Sequence, residues 1–226
     1  MTARNDSEAG SVLAPWRVYT PQQDTELLTQ ALDREHVPAG AAVLDVGSGA
    51  GALALAAARR GAQVTAVDTT YRAVLATRLN ARLAGLPVEV LQGDLFGPVV
   101  GRRFDLVVSN PPYVPTPGAV PSRRQAAVAW DAGADGRLLL DRICRGAHMS
   151  LRPGGVLLLV HSALCGIAPS LAALERSGLT ARVSDRRLVP FGPVLRSREA
   201  WLREQGLVDA DEEKEELVII RAERTH

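Results

Sequence analysis

The chain has 226 residues, of which 46% are hydrophobic and 23% charged, and its formal net charge is +1 at pH 7. These are the proportions of an ordinary globular protein that is long enough to bury a substantial core. The small net charge argues against binding to nucleic acid or membranes through overall charge alone. The two cysteines are not spaced as a redox or metal pair, and no apolar run is long enough to span a membrane. We therefore expect a cytoplasmic protein with reduced thiols.

Short apolar runs alternate with helical patterns after a flexible leader, predicted at residues 1–15, and residues 16–226 are predicted to form a single domain. Thr20 followed by Pro21 is typical of a helix start, and we expect that helix to end near Glu35. The predicted strands are 41–46, 63–67, 88–91, 104–108, 156–160, 179–183 and 216–221. The predicted helices are 52–60, 71–84, 137–149, 169–177 and 197–204, the last within an otherwise irregular stretch at 190–206. Such alternation favours an α/β fold with one parallel sheet and helices on both faces.

The segment Asn110-Pro111-Pro112-Tyr113 directly follows the fourth predicted strand. Two consecutive prolines can continue neither a strand ladder nor a helix, so the chain is stiffened just past a strand end, where α/β proteins place their ligands. A stiff loop can hold the Asn110 amide and the Pro111 carbonyl in fixed directions, and Tyr113 adds an aromatic surface. The pattern predicts a site for a small, planar, polar group.

A glycine-rich turn joins the first strand to the following helix through Gly47, Gly49 and Gly51. Glycine lets the backbone turn sharply and lets a ligand approach the main chain closely. Asp68 ends the second strand, where its carboxylate can accept hydrogen bonds from ribose hydroxyls. The turn predicts a cofactor that carries a nucleoside. Because Ala52 completes a G-x-G-x-x-G/A pattern, NAD is one candidate.

Two acidic residues favour S-adenosyl-L-methionine over NAD. Asp45 lies two positions before the first glycine, and a carboxylate there suits a methionyl ammonium but repels a diphosphate. Asp94 follows the third strand, where it can accept a hydrogen bond from the adenine amine while Leu95 packs on the ring. We therefore predict S-adenosyl-L-methionine as the cofactor. The four histidines lack the spacing of metal ligands, so no metal is expected.

With these motifs the chain resembles the class I S-adenosylmethionine-dependent methyltransferases, and more narrowly the HemK/PrmC group of protein-glutamine N5-methyltransferases. The matching segments are Val18-Tyr19-x-Pro21-x-x-Asp24-Thr25, Asp45-x-Gly47-x-Gly49-x-Gly51, Asp68, Gly93-Asp94-Leu95 and Asn110-Pro111-Pro112-Tyr113. The resemblance implies a Rossmann-like, seven-stranded sheet that is mostly parallel with an antiparallel last strand. It also implies that Tyr19, Thr25 and Asn110 line the cofactor pocket.

The activity that the resemblance implies is methylation of the glutamine in a Gly-Gly-Gln motif of a peptide chain release factor. An amide nitrogen is a weak nucleophile, so we expect Asn110 and Pro111 to accept its two N–H bonds and orient it. The same geometry serves an adenine N6 or guanine N2 amine, and a nucleic-acid or small-molecule substrate is an alternative. A nucleic acid would need a basic path. Candidates for that path are Arg123, Arg124, Arg186, Arg187, Arg196, Arg198 and Arg203.

The chain resembles the shorter eukaryotic and archaeal branch, so we expect it to lack the separate helical N-terminal domain of the bacterial members. Members of that branch work with a small zinc-binding activator subunit, and dependence on such a partner predicts an exposed apolar patch. His161-Ser162 stands where bacterial members have Glu-His-Gly, so we expect His161 to be a strand-end histidine without a catalytic role. The resemblance to the release-factor enzymes does not extend to the Arg-rich stretch 186–203, which leaves the substrate open.

Overall fold

The computed structural model describes residues 12–14, 18–19, 22–117 and 132–225 of the chain. The helices are α1 (Gln23–Arg34), α2 (Ala52–Arg59), α3 (Tyr71–Ala84), α4 (Leu138–Ser150), α5 (Ile167–Arg176) and α6 (Pro193–Glu204). The strands are β1 (Ala42–Val46), β2 (Gln63–Asp68), β3 (Val88–Gln92), β4 (Phe104–Ser109), β5 (Leu151–Ser162), β6 (Thr180–Pro190) and β7 (Lys214–Glu223). Strands and helices thus alternate as the sequence predicts.

The strands form one sheet in the order β3-β2-β1-β4-β5-β7-β6. Neighbouring strands from β3 through β5 run parallel. β7 runs antiparallel to both of its neighbours, β5 and β6. The expected Rossmann-like sheet with an antiparallel last strand is therefore confirmed. The strand order reverses between β1 and β4, and at such a point the loops that leave the two strands diverge and open a crevice.

Helices cover the sheet in two groups. α1 packs against α2 and α2 packs against α3, whereas α4 packs against α5. The crossovers β1-α2-β2 and β4-α4-β5 travel in opposite directions along the sheet, so right-handed connections place the two groups on opposite faces. Between the two layers the central strands are almost continuously apolar, and Leu44, Val107 and Leu157 are fully buried.

Local signals set the boundaries of the helices in the first half of the chain. α3 spans Tyr71–Ala84 as predicted, because the Thr70 side chain caps its start and Gly85 adopts a left-handed conformation at its end. α1 begins at Gln23, which is later than expected. Its expected start at Thr20 and Pro21 lies outside the described residues.

Three strands in the second half are longer than predicted, and β5 and β6 gain more residues than β7 does. β5 begins at Leu151, which pairs with Phe104 before the register shifts and regular pairing resumes at Val156. β6 continues to Pro190 because β7 pairs with it along its whole length. Both extensions depend on the partner strand, so the apolar runs alone could not place these ends.

The helix predicted at 197–204 lies within α6, which ends at Glu204 as expected but already begins at Pro193 and has 12 residues. The prediction that the rest of 190–206 is irregular is therefore wrong for the residues from Pro193 onward. The inner face of α6 belongs to a small cluster of buried apolar side chains, separate from the main core: Phe191, Leu195, Leu202 and Val208. Burying one such side chain stabilises a fold by roughly 1.5–3 kcal/mol. This cluster therefore orders a segment whose surface is rich in charged residues.

Candidate active site

Hydrogen bonds hold the carboxyl ends of β1, β2 and β4 together at the crevice. The amides of Gly47 and Ser48 donate to the Val67 carbonyl at 2.8 and 3.1 Å. The Ser109 hydroxyl, which is fully buried, donates to the Val46 carbonyl at 2.7 Å. The glycine-rich turn after β1 and the Asn-Pro-Pro-Tyr segment after β4 therefore start from one fixed framework.

The three glycines of the turn all have positive φ, at +77° for Gly47, +55° for Gly49 and +88° for Gly51. A Cβ on Gly51 would lie 2.8 Å from Cγ2 of Thr77, whereas a Cβ on Gly47 would meet no atom within 4 Å. Gly51 is thus required for close packing of the turn on α3. The open side of Gly47 leaves the backbone accessible to a ligand.

Gly51→Ala is expected to destabilise the protein more than Gly101→Ala, a control in which φ is also positive (+82°) but a Cβ meets nothing within 4 Å. The control should lose about 1–2 kcal/mol from backbone strain. Gly51→Ala should lose a further ~1–3 kcal/mol from its clash with Thr77. Urea unfolding of both variants measures the difference. Equal losses would contradict the packing role.

Asp45 lies at the end of β1 and is fully buried. Its Oδ2 accepts a hydrogen bond from the Ala54 amide at 3.0 Å. Its Oδ1 has no hydrogen-bond partner among the described residues. Burial, with a smaller contribution from the neighbouring Asp68 carboxylate, raises the pKa of Asp45 to about 7. Because a buried carboxylate is costly without a partner, this oxygen fits the predicted position of a ligand cation such as the methionyl ammonium.

Asp68 and Asp94 are held in different ways. Asp68 accepts hydrogen bonds from the Gly49 amide at 3.0 Å and from the amide and hydroxyl of Thr70 at 2.9 and 3.1 Å. A carboxylate has about four acceptor positions, so Asp68 can still accept from a ribose hydroxyl. Asp94 is exposed and forms an ion pair with Arg142 at 2.6 Å. The predicted contacts of the two acids with ribose and adenine remain predictions.

Leu95 is the only non-glycine residue with positive φ in the described part of the chain, at +48°. Its side chain packs against the main core. The preceding Gly93 donates its amide to the Asp68 carbonyl at 2.9 Å, which brings the loop after β3 against the end of β2. Leu95 therefore lies on a loop adjacent to the glycine-rich turn, as an adenine contact would require.

Asp24 is almost fully buried at the start of α1, and its hydrogen bonds connect predicted residues of α1 and of the segment after β4. Its Oδ1 accepts hydrogen bonds from the Tyr19 hydroxyl and, at 2.6 Å, from the Thr25 amide. Its Oδ2 accepts from the Tyr113 hydroxyl at 3.0 Å. Asn110 in turn donates its side-chain amide to the Thr25 hydroxyl at 3.2 Å. One buried carboxylate thus joins the start of α1 to the segment after β4, and charge-assisted bonds of this kind are the strong ones.

Tyr113 anchors the Asn-Pro-Pro-Tyr segment through both its side-chain hydroxyl and its backbone carbonyl. Its side chain is buried, and its carbonyl accepts a hydrogen bond from the Cys165 thiol at 2.9 Å. Burial and the Asp24 carboxylate raise the pKa of Tyr113 well above its ordinary value, so the phenol stays a donor. A Cβ on Gly136 would lie 2.2 Å from the Tyr113 carbonyl oxygen, so the chain after position 132 packs tightly on this anchor. The expected contact of Tyr113 with substrate stays a prediction.

Sequence reasoning assigned no role to Asn80, although its side chain supports the glycine-rich turn. Its Nδ2 donates to the Ala50 and Leu13 carbonyls at 2.9 Å, and its Oδ1 accepts from the Leu13 amide at 3.0 Å. A polar residue on the buried face of a predicted helix is the signal that could have revealed it. Asp24 carried a weaker signal, because only its place in the family motif distinguished it.

Two further ionisable side chains are buried near the end of β5. His161 is fully buried, its Nδ1 lies 2.8 Å from the Ser162 carbonyl, and burial lowers its pKa to about 4. A neutral imidazole in this position fits the expected structural role. Glu215 on β7 is also buried, and burial raises its pKa to about 7.

Of the seven arginines that could have formed a basic path, the structure pairs three with acidic side chains. Arg186 pairs with Glu216 at 3.0 Å, and Arg203 pairs with Glu199 at 2.7 Å. Arg187 lies 3.7 Å from a Glu26 carboxylate oxygen. Two other candidates, Arg123 and Arg124, lie outside the described residues. Pairing of this kind weakens the case for a nucleic-acid path.

Neither a metal centre nor a membrane anchor is found in the described residues. No group of three or more His, Cys, Asp or Glu side chains there is placed to hold a metal ion. None of the helices in that part of the chain is both long and apolar enough to cross a membrane.

Residues 20–129 match the family model described as the methyltransferase small domain. The chain is 34% identical over 176 residues to a putative protein N5-glutamine methyltransferase of Methanocaldococcus jannaschii, and the alignment covers 77% of this chain and 87% of that protein. It is 38% identical over 148 residues to the release factor glutamine methyltransferase of Geobacter sulfurreducens, covering 62% of this chain and 52% of the relative. The chain therefore spans about half the length of this bacterial relative.

The fold is also that of a chain in a solved structure, the E. cuniculi Mtq2-Trm112 complex. That complex is described as responsible for methylation of the translation termination factor eRF1. The TM-score is 0.63, the identity is 24%, and the match covers 92% of this chain and 99% of the other. At this identity the similarity establishes the shared fold.

Proposed function

Because the chain belongs to the family of protein N5-glutamine methyltransferases, we propose that it methylates the side-chain nitrogen of the glutamine in a Gly-Gly-Gln motif of a release factor. The observation that carries this proposal is the network through Asp24. It fixes Asn110 and the following prolines beside the glycine-rich turn, so a nucleophile held there would face the cofactor. A translation factor as substrate would place the reaction in the cytoplasm.

The cofactor that the site fits best is S-adenosyl-L-methionine, which supplies an electrophilic methyl group on a sulfonium. The unpartnered oxygen of Asp45 would bind the methionyl ammonium. Asp68 would accept from the ribose hydroxyls, and Asp94 with Leu95 would hold the adenine. The backbone of the turn from Gly47 to Gly51 would lie against the cofactor. Tyr19 and Thr25 would close the pocket from the side of α1.

Asn110 and Pro111 would orient the substrate amide. The Asn110 Nδ2 already donates to Thr25, so its Oδ1 is directed away from that bond and can accept one N–H of the substrate. The Pro111 carbonyl would accept the other. These two acceptors favour the partial positive charge that develops on nitrogen as the new N–C bond forms and the S–C bond breaks. The extra proton leaves to water after transfer, so no strong general base is required.

The proposed reaction is tested by methyl transfer from tritiated S-adenosyl-L-methionine. One set of reactions offers a release factor with an intact Gly-Gly-Gln motif, a second offers the same protein with that glutamine changed, and a third offers total RNA and DNA. Label that appears only in the intact release factor supports the proposal. Label only in nucleic acid would overturn it and favour an amine of adenine or guanine.

We also propose that a small partner subunit, of the zinc-binding kind that the resemblance implies, covers the outer face of α3. Four large apolar side chains lie on that face at intervals of four residues, with exposed fractions of 60%, 44%, 47% and 66%: Tyr71, Leu75, Leu79 and Leu83. α3 packs beside β3, whose outer edge is the free edge of the sheet. The solved Mtq2-Trm112 complex, whose fold this chain shares, supports a protein partner. An apolar stripe of this extent is characteristic of an interface.

Replacing Leu79 and Leu83 together by glutamine should abolish co-purification with a co-expressed Trm112-type subunit, because both apolar contacts would be lost. Leu188→Gln is the matched control, since Leu188 is 63% exposed but lies on β6 at the opposite edge of the sheet. Co-purification is measured by affinity capture of tagged chain. Equal capture by the double variant and the wild type would exclude α3 as the docking face.

A further inference from the structure

α6 lies in the Arg-rich part of the chain, and it packs beside the active-site loop. Its inner face contributes Leu195 and Leu202 to the small apolar cluster. Val114, the residue directly after the Asn-Pro-Pro-Tyr segment, packs against the same cluster. The start of the helix also approaches α1, since a Cβ on Gly192 would lie 3.3 Å from the Gln22 side chain. The helix thus borders both segments joined by Asp24.

Arg198, in the middle of α6, reaches the backbone of this loop. Its Nη1 donates to the Val114 carbonyl at 2.8 Å and to the Pro115 carbonyl at 3.1 Å. The same nitrogen lies 2.9 Å from the Thr116 hydroxyl. One guanidinium group therefore contacts all three residues that follow the Asn-Pro-Pro-Tyr segment.

The loop needs such a donor because it is not part of the sheet. The carbonyls of Val114 and Pro115 have no ladder partner, and half-buried carbonyls require hydrogen bonds. The backbone amide of Thr116 makes a further hydrogen bond, which it donates to the Gly133 carbonyl at 2.9 Å. The Nη1 amino group of Arg198 carries two N–H bonds, so the three acceptors around it share two donors.

Other arginines of α6 are placed differently. Arg203 pairs with Glu199 one turn away on the same helix and donates to the Glu212 carbonyl at 3.2 Å, in the chain that follows α6. Arg196 is exposed at the helix surface. Arg198 differs from Arg203 in the segment that it binds, because this segment leads directly out of the proposed catalytic motif.

We infer that Arg198 is a positioning residue for methyl transfer. It holds the chain after Tyr113 so that Asn110 and Pro111 keep the geometry that receives the substrate amide. Asp24 and Cys165 fix the segment at Tyr113, and Arg198 fixes the three residues beyond it. The inference rests on the proposed function, because it assigns Asn110 and Pro111 to substrate binding.

Arg198→Ala should lower kcat for methyl transfer to the release factor about 10- to 100-fold, since small misplacements of reacting groups have effects of this size. The Kd for S-adenosyl-L-methionine should not change, because Val114, Pro115 and Thr116, which Arg198 contacts, are not among the residues assigned to the cofactor. Arg198→Lys should fall between the wild type and Arg198→Ala, because the ammonium keeps a charged donor but sits on a side chain of different length and shape, which does not reproduce the position of Nη1. Arg196→Ala is the matched control and should behave as the wild type.

Hydrogen–deuterium exchange separates this inference from the proposed function. Peptides that cover 112–117 should exchange faster in Arg198→Ala than in the wild type or Arg196→Ala, whichever substrate the enzyme methylates. If the wild type does not label the release factor, the proposed function fails while faster exchange still supports the anchoring. Unchanged exchange together with unchanged kcat would overturn the inference. Loss of cofactor affinity in parallel with a large drop in Tm would also overturn it, because Arg198 would then support the whole fold.

Discussion

Asn110→Ala is expected to lower methyl transfer by roughly 10²–10³-fold or more, the range found when one preorganised polar group at a reacting centre is removed. The variant loses the amide oxygen that is proposed to orient the nucleophile and the amide nitrogen that bonds Thr25 at 3.2 Å. Alanine fits the same backbone, and Tyr113 still anchors the segment to Asp24. The cofactor should therefore still bind, so that kcat falls while the Kd for S-adenosyl-L-methionine changes little.

Single-turnover methyl transfer and calorimetric binding of the cofactor measure the two quantities separately. Thr25→Val should produce a smaller loss, because it leaves Asn110 in place but removes the acceptor that fixes its orientation. Gln205→Ala removes an exposed amide at the end of α6 and should have no effect. Turnover close to the wild type in Asn110→Ala would contradict the proposed role of this residue.

Asp45→Asn is expected to weaken cofactor binding by about 10²-fold or more, because loss of one partner of a buried ion pair costs ~3–5 kcal/mol. Without cofactor the same variant should be at least as stable as the wild type. The buried Oδ1 has no partner in the described structure, and a neutral amide is less costly to bury than a carboxylate. The two effects have opposite signs, which distinguishes a ligand-binding acid from a structural one.

Asp105→Asn is the matched control for this substitution. Asp105 lies at the start of β4, at the opposite end of the sheet from the site, and pairs with Arg152 at 2.6 Å. Its replacement should leave the Kd for the cofactor unchanged. If Asp45→Asn binds cofactor as tightly as the control does, Asp45 does not contact the ammonium.

The stability of the cofactor-free protein should depend on pH in a direction set by Asp45 and Glu215. Burial raises the pKa of each to about 7, above the ordinary values of 3.8 and 4.5. The folded state therefore holds protons that the unfolded state has released between about pH 4 and pH 7, and the contribution of these groups to stability is lost as the pH rises through that window. Tm measured from pH 5 to pH 8 should fall less steeply in Asp45→Asn than in the wild type. Parallel curves would contradict the raised pKa of Asp45.

The sequence predicted elements well where local signals mark them. α3 is bounded by a threonine cap and a left-handed glycine, both of which are readable from the chain, and its limits agree with the prediction. Only the second part of α6 was predicted, because its apolar residues, such as Leu195 and Leu202, are separated by charged ones. They become a helix face only when Phe191 and Val208 complete the cluster. That contact depends on the three-dimensional fold.

The same distinction applies to the site. Residue type and position after a strand identified Asn110 and Tyr113, whereas Thr25 was identified only through the family resemblance. Their connection through Asp24 joins positions 85 and 89 residues apart, and no local pattern predicts such hydrogen bonds. The burial of Tyr113 follows from the same cause, since a phenol can enter the core only where a buried acceptor meets its hydroxyl.

Tandem mass spectrometry of a release factor incubated with the enzyme and S-adenosyl-L-methionine tests the central claim most directly. The proposed mechanism predicts that the Gly-Gly-Gln peptide gains the mass of one methylene, and that fragmentation places it on the glutamine side-chain nitrogen. The same protein with glutamine changed to glutamate should gain nothing at that position, because it offers no amide N–H to Asn110 and Pro111. A methyl group on any other atom of the release factor, or equal modification of the glutamate form, would contradict the account.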